Sequence, residues 1–411
     1  MKNRRKTSTN LPRSDDPNST QPCWQSRGER LGEISLVLIG FTIPLSNALC
    51  TGVFPALAVV AWLMLCGWRG VPKLLRENRV ALLCVVLFAW LGVAGIYGGG
   101  SEAFGIWKKY RELALIIIYM GLASALPNRT RAVTALAIGL MLAMQISFMQ
   151  AAGILPMKHG NAVLSSSLTH GALMAWLVFW LMHYHHKTGM NGILALVALV
   201  LANLFFLVDS STGVVLVLSL GLLFGLQTMR RAKLAVMAGG LIAVVVFAFA
   251  VSPMFRTATQ GDVKAVQEML NGKITFTPTG ERLQFYRNSL ALLSQAPVLG
   301  HGTGRFHERY ATHVAGTNQV VTANPHNEYL MVGVQSGLVG VGILLALFWA
   351  LWQAAARWEG MDRWLAQGMV VWLSVGCCFN SFILDSREGM LFALLTALYA
   401  KPPSSNPHDS S

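Results

Sequence analysis

Residues 325–340 read PHNEYLMVGVQSGLVG. His326 and Asn327 stand directly before an apolar run that continues through Leu344, Leu347 and Trp352. About 17–25 apolar residues suffice to cross a bilayer core, and this run reaches that length. The stretch therefore predicts a membrane helix with a titratable side chain at its mouth. What that histidine can do depends on which side of the membrane the mouth faces, and on what lies opposite.

The rest of the chain is of the same kind. Of 411 residues, 54% are hydrophobic and 12% charged, against about a quarter charged in a soluble domain. Apolar runs are expected to span near 32–50, 53–68, 80–98, 112–126, 132–153, 168–186, 190–208, 212–227, 233–251, 327–352, 364–384 and 388–400. The fold class is thus all-α, a polytopic integral membrane protein with about 12 transmembrane helices. The first thirty residues are polar, with Lys2, Arg4, Arg5 and Lys6. They lack the apolar core of a signal peptide and read as a disordered tail over 1–30. Cys23, Cys50, Cys66, Cys84, Cys377 and Cys378 have no metal-ligand spacing and read as small apolar packers.

The net charge of +14 would suit a nucleic-acid ligand, but in a membrane protein it first reports orientation, because cytoplasmic loops collect Lys and Arg. The turns WRGVPKLLRENR, HYHHK and MRRAK are basic, as are those holding Arg129 with Arg131 and Arg357 with Arg363. All follow even-numbered spans, so both termini are expected in the cytoplasm and no nucleic-acid partner is expected. The chain then divides into helices 1–9 over 31–251, an outer loop over 252–325, helices 10–12 over 326–400, and a tail over 401–411. A loop this long is functional or disordered. Asp262–Asn271 has helical apolar spacing, with Asp262 as N-cap and Gly272 as stop. Glu281–Ala296 repeats the pattern through Leu283, Tyr286, Leu290 and Leu293. The loop should be folded and lie on the membrane surface.

The span interiors carry almost no charge. Asp209, Asp385 and Arg387 fall at outer ends, whereas transporters place ionisable groups near the midplane. That distribution favours an enzyme acting on a lipid-linked substrate. Cations gather on the outer side: Lys108, Lys109 and Arg111 in GGGSEAFGIWKKYRE, then Arg256, Arg282, Arg287, Arg305 and Arg309. With Trp107 and Tyr110 the first group could be an interfacial anchor, or it could clamp phosphate, which arginine binds bidentately. No aspartate cluster suits a divalent metal there, so neither metal nor cofactor is expected. His326 could simply cap a helix, or serve as a base near neutral pH. Gly333, Gly337 and Gly340 could let helices pack closely, leave room for a lipid or sugar, or both.

The segments GERLQFYRNSLALLSQAPVLGHGTGRF and PHNEYLMVGVQSGLVG together resemble the core of the bacterial O-antigen ligase and polymerase superfamily. Arg282 and Tyr286 match its first element; Pro297, Gly300, Gly302, Gly304 and Phe306 its second; His326, Asn327, Gly337 and Gly340 its third. About 60 residues are covered closely. The hairpin VDSSTGVVL departs from the pattern, with Asp209, Ser210, Ser211 and Thr212 where the family often has an arginine, and Gln335 stands where glutamate is common. The resemblance implies a GT-C-like glycosyltransferase architecture with one large periplasmic loop, in the bacterial inner membrane. It implies transfer of a glycan from undecaprenyl diphosphate to an acceptor: a lipid A–core sugar hydroxyl for a ligase, another lipid-linked glycan for a polymerase, a protein Ser or Thr for a third branch. One large outer loop and the short C-terminus favour the ligase, inverting and metal-independent. A flippase or exporter of the same lipid is the reading from another class. On the ligase reading His326 is the general base and Arg282 stabilises the leaving group. Arg287, Arg305, Lys108, Arg111, Asn327 and Tyr286 are the further candidates for holding diphosphate or substrate.

Overall fold

The computed structural model describes residues 23–400 apart from 125–128, 157–165, 209, 230, 272 and 274–275. The tails 1–22 and 401–411, Gly272 as a helix stop, and Asp209 lie outside the described residues. The described residues form helices and connecting turns, with no strand. In chain order the helices are α1 (Cys23–Thr42), α2 (Phe54–Met64), α3 (Val71–Glu77), α4 (Arg79–Gly98), α5 (Ala103–Lys109), α6 (Glu112–Ala123), α7 (Thr130–Ala151), α8 (Ser167–Thr188) and α9 (Gly192–Ala202). They continue as α10 (Ser211–Thr228), α11 (Arg231–Val251), α12 (Pro253–Leu270), α13 (Pro278–Gln295), α14 (Phe306–His313), α15 (Glu328–Ala355), α16 (Gly360–Gly376) and α17 (Ser386–Tyr399).

Every expected span contains a helix. α4, α7, α10 and α15 are long and apolar enough to cross a membrane. Among the described residues that makes four, rising to six if two bent pairs, 49–77 (77°) and 239–270 (102°), each form one span. The chain is a helical membrane protein. Residues 23–30, expected in the disordered tail, instead open α1.

The long connection after α11 is folded, but its helices start earlier than the apolar spacing suggested. α11 stops at Val251, and the Ser252 hydroxyl accepts from the Phe255 amide at 3.2 Å. Pro253 follows at the first helical position, where its missing N–H has no cost. Asp262 is therefore interior to α12 rather than its N-cap. Its carboxylate accepts from Ser211 Oγ at 2.9 Å and from Thr279 Oγ1, joining α12 to the starts of α10 and α13. Thr277 caps α13, its hydroxyl accepting from Gly280 N at 3.1 Å.

α15 is broken at Gly337 (φ 67°), and the loop 297–306 docks into the break. Leu338 N donates to Pro297 O, His301 N to Val334 O and Gly302 N to Gln335 O, each at 2.8 Å. The Gln335 side chain takes Gly304 N at 2.9 Å. A Cβ on Gly337 would run into the Val298 carbonyl, and one on Gly302 (φ 102°) into the backbone of Gly98. These glycines are required by backbone contact and by left-handed φ. Gly337 does not open space for a lipid or sugar, one of the roles the sequence left open for Gly333, Gly337 and Gly340. Gly340 is likewise filled, by the Ser336 side chain.

Candidate active site

The mouth of α15 is built by its cap. Asn327 Oδ1 accepts from Leu330 N at 3.0 Å, and its Nδ2 donates to Cys378 O at 3.0 Å. Both ends of this amide are thus used in architecture, and Asn327, a candidate for binding substrate, holds the helix start instead. His326 lies one residue outside the cap, not at the helix start as expected, and adopts φ 54°. A left-handed non-glycine residue costs about 1–3 kcal/mol and persists where its surroundings over-determine it. Here they do. His326 N donates to Asn324 Oδ1 at 2.8 Å, an oxygen that also accepts from Ser381 Oγ at 2.8 Å. The Tyr286 hydroxyl stands 3.1 Å from His326 O and 2.9 Å from Cys378 O.

The imidazole is oriented from one side. Its Nδ1 is 3.0 Å from Asn380 Oδ1, and Asn380 Nδ2 donates to Asp385 Oδ2 at 2.5 Å. Because the Asn380 amide donates to the carboxylate, its oxygen faces the ring, so this network assigns the proton to Nδ1 and leaves the lone pair on Nε2. Nε2 has no hydrogen-bond partner among the described residues. Phe285 lies beside the ring, 6.3 Å between centroids and 27° between planes. Burial raises the Asp385 carboxyl above its ordinary value, opposed by the Asn380 hydrogen bond and the charges of His326 and Lys109. The turn carrying Asn380 and Asp385 is itself pinned by Glu328. That buried carboxylate accepts from Ile383 N at 2.9 Å, Leu384 N at 3.2 Å and Tyr110 Oη at 3.1 Å.

Arg282, Phe285 and Tyr286 share one face of α13, at the i, i+3 and i+4 positions. Burial pushes the Tyr286 hydroxyl up to about 12, with the Arg282 charge as the largest opposing influence. Arg282 makes no ion pair with a described carboxylate, and it lines a cavity of about 630 Å³. One face of one helix thus carries a guanidinium toward a cavity and a tyrosine onto the histidine turn.

The other expected cations are placed differently. Arg287 is exposed, about 140° around α13 from Arg282 at 100° per residue. Arg305 is already engaged, with Nε donating to Gly98 O at 2.7 Å and Nη1 paired with Glu308. Arg111 Nε lies 3.6 Å from Glu112 Oε1. Lys108 is exposed in the last turn of α5, and it is its neighbour Lys109 whose charge acts on Asp385. The structure therefore sets Tyr286 against the His326 turn, with Arg282 one helical turn away on the same face of α13, and does not bring in Arg287 or Arg305. Asn380 and Phe285 were not expected, and Asp385 was noticed only as an end-of-span charge. The turn FNSFILD has no period that would reveal it, though an Asn five residues before an Asp in a polar break between apolar runs is a usable signal.

A histidine with one nitrogen tied and the other open, at the mouth of an apolar helix and held by a tyrosine one helical turn from a guanidinium, is an arrangement suited to removing a proton beside an anion. Residues 194–345 match the O-antigen ligase family, a segment that includes Arg282, Tyr286, the glycine loop and His326. Over that region the chain is of O-antigen ligase type. Asn380 and Asp385 lie beyond the matched segment. No curated protein matches the chain as a relative.

Proposed function

We propose that the protein is an O-antigen ligase. It would transfer a glycan from undecaprenyl diphosphate to a sugar hydroxyl of lipid A–core at the periplasmic face of the bacterial inner membrane, with about twelve crossings and both termini in the cytoplasm. The observation that carries the reading is the His326–Asn380–Asp385 chain, which leaves Nε2 as a free base. Nε2 takes the proton of the acceptor hydroxyl as its oxygen attacks the anomeric carbon. The bond from that carbon to the diphosphate oxygen breaks, and the electron pair leaves with the diphosphate. Attack opposite the leaving group inverts the anomeric centre. A positioned base is worth about 10²–10⁴-fold. The Arg282 guanidinium, without an ion pair among the described residues, is the group to stabilise the charge growing on the leaving oxygen. Asn380 and Asp385 hold the imidazole and support the imidazolium as it forms.

The test is transfer by the purified protein in detergent, given the lipid-linked glycan and lipid A–core. Formation of the joined product supports the ligase. Extension of one lipid-linked glycan by another would favour a polymerase. Movement of the lipid across vesicles without any transfer would favour a flippase.

A further inference from the structure

Half of the residues that line the cavity beside Arg282 carry hydroxyls, and one carries a carboxylate. Asp262 sits in its wall, fixed by Ser211 Oγ at 2.9 Å and by Thr279 Oγ1, one bond to each oxygen. A carboxylate oxygen can accept more than one hydrogen bond, so each keeps capacity for a further donor from the cavity. The hydroxyls of Ser167 and Thr257 also line the cavity and make no hydrogen bond to a described residue. Arg282 and Asp262 share this wall without forming an ion pair. The volume of about 630 Å³ falls within the range of about 300–1,000 Å³ typical of small-molecule sites. A space with many small hydroxyls, a pre-oriented acceptor and apolar wall between them suits a sugar ring, which carries hydroxyls around its rim and C–H groups on its faces.

We propose that this cavity binds a neutral sugar ring, the one next to the diphosphate of the donor, with Asp262 accepting from its hydroxyls and Thr257 and Ser167 completing the contacts. The inference rests on the transferase reading of the same site. Arg282 fixes which sugar it is. The guanidinium stands on the cavity wall, four residues, about 6 Å of helix rise, before the tyrosine that holds the His326 turn. A diphosphate on Arg282 therefore sets its attached ring in the cavity whose wall Arg282 shares. The hairpin 208–212 lacks the family's arginine but contributes hydroxyls here, so binding energy at this position comes from the glycan more than from a second cation.

The experiment compares binding of two probes to the full-length protein in nanodiscs: undecaprenyl diphosphate bearing its glycan, and undecaprenyl diphosphate alone. Asp262→Asn should weaken binding of the glycan-bearing lipid about tenfold, and Thr257→Val about threefold, while binding of the bare lipid diphosphate stays unchanged. Thr257 takes no part in the Asp262 latch, so its variant separates lost contact from a loosened loop. Equal weakening of both probes by Asp262→Asn, with no effect of Thr257→Val, would reduce Asp262 to a structural latch and overturn the proposal. So would unchanged binding of both probes. Weakening confined to lipid A–core, added as a third probe, would assign the ring to the acceptor and overturn the donor assignment. Failure of the parent protein to transfer glycan would count against the ligase reading, yet the two-probe comparison would still decide the sugar site, since it needs no turnover.

Discussion

The loop 297–306 and the turn 324–327 lie close in sequence, and both hold residues in left-handed backbone, but for opposite reasons. In the loop the left-handed residues are glycines, and their value is contact: backbone meets backbone at Gly302 with Gly98 and at Gly337 with Val298. In the turn the left-handed residue is His326, a side chain that gains nothing from that conformation for itself. It is held there by Asn324, Tyr286 and Asn380 while one ring nitrogen stays open. The loop spends its polar groups on the helices around it; the turn leaves one unspent. Family motifs that look alike as strings of letters thus divide into architecture and chemistry, and the division can be tested residue by residue.

The largest effect should come from His326→Ala. Turnover should fall about 10²–10⁴-fold while the protein still folds and inserts. Near-parental transfer by the purified variant would move His326 from chemistry to architecture. Arg282 comes next. Arg282→Ala should lose about 10²-fold, the order seen when one group stabilising a growing negative charge is removed, and Arg282→Lys should keep only part, because lysine retains the charge without the planar fork. The loss should fall on kcat at least as much as on KM, since the charge grows in the transition state. Full activity of Arg282→Lys would show that Arg282 only anchors the loop to headgroups.

On the other side of the comparison, Gly302→Ala should act through stability. A Cβ there meets backbone that no side-chain rotation can relieve, and φ 102° is itself unfavourable for alanine. The left-handed backbone alone costs about 1–3 kcal/mol, with the clash in addition. Melting in detergent should drop clearly, and what remains folded should retain turnover per molecule. Smaller is the expected loss for Asn380→Ala, about tenfold in kcat from one hydrogen bond to the imidazole, with KM unchanged. A rise in KM together with a fall in thermal stability, with kcat intact, would make Asn380 a mere brace of the α16–α17 turn.

The helical character of the fold was legible because apolar length is a one-dimensional property: each apolar run contains a helix, and among the described residues four helices, or six spans with two bent pairs, are long and apolar enough to cross. Helix ends were less legible. Asp262 looked like a cap because it precedes an apolar spacing, whereas Ser252–Pro253 nine residues earlier supplies both a hydroxyl cap and a fixed φ. In the site, His326, Arg282 and Tyr286 could be read from the motif. Asn380 could not, because its contact with His326 spans 54 residues and depends on how the α16–α17 turn folds back. The cations were legible as charges but not as free charges. Whether an arginine can meet a ligand depends on which carbonyls and carboxylates reach it first, and sequence spacing does not report that.

Arg305 makes that point testable, with the smallest expected effect on chemistry. As a letter it looks like a phosphate ligand: an arginine within the glycine motif, just upstream of His326. In the fold its Nε donates to Gly98 O at 2.7 Å, its Nη1 pairs with Glu308, and its stem packs on Gly100. It ties the end of α4 to the start of α14 and so belongs with the glycine loop rather than with the histidine turn. Arg305→Ala should then lower thermal stability by about 1 kcal/mol, a charge-assisted hydrogen bond discounted for partial exposure, and leave kcat and KM for the donor within about threefold. Arg305→Gln, which can still donate to Gly98 O, should recover part of the stability. The informative failure is the reverse pattern, a protein of parental stability with turnover reduced a hundredfold. That result would mean Arg305 leaves Glu308 for the diphosphate when substrate arrives, and the boundary between architecture and chemistry would have to be redrawn through the loop itself.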